Sequence, residues 1–174
     1  LLTGESGILL VAWRLAPDEE LERDLLAHVH RNLGNKANEV MWGAPGTLLA
    51  ARAMLETTGK SEWRDAMSES AEAVWRSRDG DGFWTQHLYG QAYRGIGPLH
   101  GLVGNALVLL PALDDDRRAQ LAGAAATLLA REAVVEDEHA NWPMDEGEPL
   151  ATADGQIRLQ WCAGAPGVVH DHDA

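Results

Sequence analysis

The sequence predicts an all-α fold, an array of helical hairpins, and three observations carry that prediction. Four segments share a glycine pair followed by an apolar run: Gly4 to Leu10, Gly43 to Leu49, Gly101 to Leu107 and Gly164 to Val169. Between them lie helical patterns with one apolar face, and the runs after the glycines are apolar on most sides. Alternation of buried and one-faced helices is the signature of hairpin arrays, which run open as solenoids or close into an α/α toroid.

Taken in order, the first one-faced helix follows Pro17, a residue suited to a first helical turn. Asp18, Glu19 and Glu20 complement the helix dipole, Leu21, Leu25, Val29 and Leu33 recur every four residues, and Gly34-Asn35 ends the pattern. Gly43 to Leu55 carries only Thr47 and Arg52 as polar side chains, as expected of a buried helix. Ser61 is the expected cap of a second one-faced helix, whose stripe is Trp63, Met67, Ala71, Val74 and Trp75, broken by Asp79-Gly80-Asp81-Gly82. That acidic run lacks the later ligands and closing glutamate of a calcium loop and reads as a turn. Phe83, Trp84, His87, Tyr89 and Tyr93 fit a loop packed over one rim of the array, with core packing as the default and a pocket for a peptide or small thiol as the alternative. Gly101 to Leu113 is again apolar except for Asn105, and Asp114 to Asp116 open a third one-faced helix with Leu121, Ala125, Leu128 and Leu129. The connections Arg78 to Pro98 and Ala133 to Leu159 are long enough to be functional excursions.

Composition bounds the function. With 174 residues and 45% apolar content the chain suits one ordinary domain, 1–174. A formal charge of −13 with no basic run repels phosphate backbones, so nucleic acid is excluded as a partner. No apolar run is long enough to span a membrane and no signal-peptide pattern opens the chain, so a cytoplasmic location is the default expectation. The only cysteine, Cys162, stands in Gln160-Trp161-Cys162-Ala163-Gly164-Ala165-Pro166-Gly167. A thiolate beside a helix-opening turn suits either a metal ligand or a nucleophile.

Three stretches together resemble one family: Met41-Trp42-Gly43-Ala44-Pro45-Gly46-Thr47-Leu48, Gly97-Pro98-Leu99-His100-Gly101-Leu102-Val103-Gly104-Asn105, and the Cys162 stretch. A His-Gly-x-x-Gly ahead of a Trp-Cys-x-Gly-x-Pro-Gly, each opening a buried helix, resembles the lanthionine synthetase C-like (LanC-like) proteins over nearly the whole chain. The resemblance implies an α/α toroid of inner and outer helices around zinc, of which this chain holds roughly half. It implies addition of a thiol, from a peptide cysteine or from glutathione, to a dehydroamino acid. Cys162 then matches one of three protein zinc ligands, and His100 matches the proton donor to the enolate. Glu39, four residues before Gly43, matches an acidic site residue, and Arg158, four before Cys162, a basic one.

The departures are equally specific. The family's other two zinc ligands lie in a Cys-His-Gly motif that this sequence does not contain, and Ala163 stands where His or Tyr is common. The expectation is therefore a fragment or truncated copy, inactive alone, with zinc occupancy doubtful and with self-association through the uncovered sides of Gly43 to Leu55 and Gly101 to Leu113. His170 and His172 with Asp171 and Asp173 offer replacement ligands only from an extended strand, where both rings share a side. Two other classes stay open: a non-catalytic helical array binding through its concave face, and, more weakly, a toroidal glycoside hydrolase, for which no carboxylate pair stands out.

Overall fold

A computed structural model describes residues 4–170. Among the described residues helix accounts for 54%, and strand occurs only as two isolated antiparallel hairpins. The fold is all-α, in keeping with part of a LanC-like α/α toroid. The helices are α1 (Glu5–Leu15), α2 (Glu19–Asn32), α3 (Ala44–Thr58), α4 (Ser61–Arg76), α5 (Leu102–Leu109), α6 (Asp115–Glu132) and α7 (Ala165–His170). The pairs α1–α2, α3–α4 and α5–α6 are successive hairpins, and α3 packs on both α1 and α5 to form an inner row.

Local chemistry sets the helix ends. Asp18, rather than Pro17, begins α2: its carboxylate accepts from the Glu20 and Leu21 amides at 2.8 and 3.1 Å, leaving Pro17 outside the helix. Asp114 caps α6 in the same way through the Arg117 amide. Ser61 does not cap α4. Gly59 ends α3 in the left-handed conformation at φ 67°, which leaves Lys60 at the cap position and Ser61 already inside the first turn. The expected helix over Gly101 to Leu113 divides, because Pro111 cannot donate to the ladder; α5 stops at Leu109 and a 3-10 turn spans Leu110–Ala112.

Two cores result. One joins α1 to α4 around Trp13, Leu25, Val29, Met54 and Trp63; the other joins α3 to α7 around Leu48, Phe83, Trp84, Ile96, Leu102, Leu109 and Val168. Met67 packs against both. No residue from Gly43 to Leu55 is exposed, and from Gly101 to Leu113 only Pro111 is. Packing by α4, α6 and the Phe83-Trp84 stretch covers much of these helices, while Val103, Ala106 and Leu107 of α5 line an apolar groove shared with α6. Exposed apolar side chains cluster on α1, where Ile8, Val11 and Leu15 are 71, 58 and 82% exposed, and recur near the Cys162 loop at Leu159 and Trp161.

Both long connections fold back as hairpins that the helical prediction did not include: β1 (Gln86–Leu88) with β2 (Gln91–Tyr93), and β3 (Val134–Glu136) with β4 (His139–Asn141). Phe83 and Trp84 are core residues, with the Trp84 indole donating to the Val74 carbonyl at 2.9 Å; Tyr89 is 82% exposed at the hairpin tip and His87 is exposed beside it. The Asp79 to Gly82 run is a turn, with Asp79 accepting from Thr85 and Asp81 paired with Arg94. Among the described residues no helix is long and apolar enough to cross a membrane.

Candidate functional site

The site begins at the corner Asn38-Glu39. Asn38 adopts a left-handed conformation at φ 48°, a region asparagine tolerates better than most residues. Its carbonyl accepts from the Asn105 amide at 2.7 Å and from the Gln86 amide at 3.3 Å, while its own side chain donates to the Thr85 carbonyl at 2.9 Å. Asn105 and Gln86 are both fully buried. The one polar residue of α5 thus serves to hold this corner.

Held there, Glu39 is fully buried. One carboxylate oxygen accepts from the Trp42 amide, and the other lies 2.7 Å from His100 Nδ1. With the carboxylate oxygen as acceptor, Nδ1 is the donor of this contact and Nε2 is left for other partners. The His100 side chain is 31% exposed, which gives the ring one face toward Glu39 and access to solvent. Glu39 and His100, 61 positions apart in the chain, are brought together.

His100 sits on a backbone joint that only glycine permits. Leu102 and Val103 donate to the Gly95 and Ile96 carbonyls, and a Cβ on Gly101 would stand 1.7 Å from the Gly95 oxygen. The Cys162 loop docks on the same joint: a Cβ on Gly97 would stand 2.2 Å from the Cys162 carbonyl oxygen. Cys162 itself lies at the tip of a tight turn closed by reciprocal Gln160 and Ala163 backbone bonds, with Sγ 3.6 Å from Gln160 Oε1. Asn141 fixes the start of α7, accepting from the Ala165 amide at 2.6 Å.

Arg158 is exposed and makes no direct bond to His100 or Glu39 among the described residues. Asp145, for which the sequence offers no motif, feels the charges of both His100 and Arg158. Burial and the neighbouring Glu148 hold the Asp145 carboxyl above the usual aspartate range, against the opposing pull of His100 and Arg158. Burial, Glu39 and Asp145 likewise raise the Tyr93 phenol. A cavity of about 350 Å³ lies alongside, walled by Trp142, Met144, Asp145, Glu148, Leu150 and Arg158.

A family model described as lanthionine synthetase C-like protein matches residues 1–171. The chain belongs to the lanthionine synthetase C-like family. Comparison with curated proteins returns no match. LanC-like proteins are generally associated with zinc, which sets a test for this chain's donors. A catalytic zinc needs three protein ligands and an open fourth position. Among the described residues no three His, Cys, Asp or Glu side chains converge, and Cys162 has only an amide oxygen nearby. The described residues of this LanC-like chain do not fit a zinc centre. His170 ends α7, and His172 lies outside the described residues.

Proposed function

We propose that this chain carries the acid–base half of a LanC-like site, adding a peptide or small-molecule thiol to a dehydroamino acid. The reading is supported first by the Glu39–His100 contact, and second by the membership of the family. When the thiol sulfur bonds to the β-carbon, the π electrons of the carbon–carbon double bond move to the carbonyl oxygen as an enolate. His100 Nε2 takes the proton released by the thiol and delivers it to the α-carbon, which returns the ring to the neutral imidazole. Atoms and charge balance without an oxidant or reductant. Glu39 fixes the ring and its tautomer, and Arg158 supplies positive charge for the enolate oxygen. Cys162 is a ligand for metal in the family pattern, and no step here runs through it.

The experiment is the addition of glutathione to a dehydroalanine-containing peptide, followed by mass spectrometry. His100→Asn is expected to lower turnover by about 10²-fold or more, the ordinary worth of a placed general acid, with KM nearly unchanged. Undiminished turnover in that variant would remove His100 from the mechanism.

A further inference from the structure

Two antiparallel contacts place the segment 144–146 on the segment 94–96: the Ile96 amide donates to the Met144 carbonyl at 2.9 Å, and the Glu146 amide to the Arg94 carbonyl at 2.8 Å. Arg94 reinforces this clamp from its side chain, pairing with Glu146 at 2.6 Å and with Asp81. Gly95, opposite Asp145, has no side chain, and through that opening two groups approach from either side. A Cβ there would stand 1.6 Å from the His100 carbonyl oxygen and 3.6 Å from Asp145 Oδ1. Asp145 is thereby delivered to the His100 backbone on one side and to the cavity wall it shares with Arg158 on the other. Its carboxylate makes no hydrogen bond to another side chain among the described residues, so the clamp does not need it. A half-buried carboxylate free of structural duty, between the proposed proton donor and the one cation on the cavity wall, is placed for function.

We propose that Asp145 is a positioning residue of this site, holding the Arg158 guanidinium toward the cavity and setting a second carboxylate against His100 across Gly95. The proposal rests on the reading of His100 as proton donor. The charged groups that face Asp145 are Glu148 from its own loop, His100 from the α5 entry and Arg158 from the Cys162 loop; Tyr93 of β2 faces both it and Glu39. Arg158 also faces Asp154, so it is shared between two carboxylates.

The electrostatic coupling of Asp145 to Arg158 is tested by carbon-detected NMR of the Asp145 carboxyl across a pH titration of the intact chain. Asp145 should titrate above the ordinary aspartate value of about 3.9, and Arg158→Gln should move it higher still, because the neighbouring positive charge is gone. An Asp145 that titrates at the ordinary value and does not respond to Arg158→Gln overturns the proposal. The functional role is tested with glutathione and the dehydroalanine peptide. Asp145→Asn should lower turnover about tenfold with KM unchanged, and Asp145→Glu should recover most of it; equal turnover in the wild type and the Asn variant overturns the positioning role. A wild-type chain with no turnover but with the coupled titration would instead overturn the proposed function and uphold the coupling. Because Arg158 is exposed, its substitution leaves the fold intact and the NMR arm holds even if Asp145→Asn fails to fold.

Discussion

A carboxylate with no exposure survives in a protein interior only if its oxygens are answered, and Glu39 has the Trp42 amide on one and His100 on the other. Substitutions there should separate the two roles. Glu39→Gln keeps the shape and an acceptor for Trp42 but loses the charge, so stability by urea unfolding should change little while turnover falls at least tenfold. Glu39→Ala removes both partners and should cost about 1–3 kcal/mol, the usual penalty for buried groups left unpaired. Equal losses of stability in the two variants would deny the carboxylate its separate role. Cys162 poses the opposite case, a thiol that no pair of His, Cys or carboxylate side chains joins among the described residues. Cobalt(II) titration of this chain is expected to give no tetrahedral thiolate absorption, and a strong band abolished by Cys162→Ala would show that ligands outside the described residues complete a site.

Among the elements, the glycines that punctuate the sequence divide by what surrounds them. Gly101 stands where backbone meets backbone, 1.7 Å from the Gly95 oxygen for an added Cβ, whereas Gly123 on the exposed face of α6 has open space. Gly101→Ala should break the joint that carries His100, with a loss of several kcal/mol or failure to fold. Gly123→Ala should stabilise by about 0.5–1 kcal/mol, since only helix propensity and chain entropy change. Comparable melting temperatures for the two variants would contradict the close approach. The helices themselves were legible, because a buried face leaves a 3.6-residue record in the sequence. Neither Lys60 at the α4 cap nor the two hairpins was, since Ser61 has the better capping side chain and short exposed strands leave only weak alternation.

For the molecule as a whole, the net charge of −13 makes pH and salt the controlling variables. The Arg94 guanidinium bonded to Asp81 holds that carboxyl below its ordinary range. Burial pulls Glu22 and Glu132 upward, but hydrogen bonds from Lys60 and Trp63 to Glu22, and from the Gly147 amide and Arg131 to Glu132, outweigh it and leave both depressed. A depressed carboxyl stabilises the fold above its unfolded value, and that contribution is lost as pH falls through the folded one. Asp145 has the opposite sign: its raised carboxyl favours the fold below the unfolded value and ceases to do so as pH rises through the folded one. Glu72, bonded to Arg117, and Asp154, bonded to Thr152, are depressed as well, so among the described residues five depressed carboxyls stand against one raised, and melting temperature should fall as pH drops below about 4. Asp81→Asn should shrink the fall, as should 1 M salt, because Asp81 is partly exposed. A flat melting temperature between pH 5 and pH 3 would contradict the assignment.

By itself the sequence determined the helical periodicity, the repeated glycine openings, the family and the candidates Glu39, His100, Arg158 and Cys162, because each leaves a local pattern of residue types. The tertiary structure alone decided that Glu39 and His100 are bonded, that Asn38, Gln86 and Asn105 hold the corner beneath them, and that Asp145 pairs with Gly95 and shares a cavity wall with Arg158. Those relations join residues far apart in the chain, and no local spacing encodes them. They arise where backbone segments meet without side chains between them, at Gly95, Gly97 and Gly101, and such an approach becomes visible only once the helices are packed.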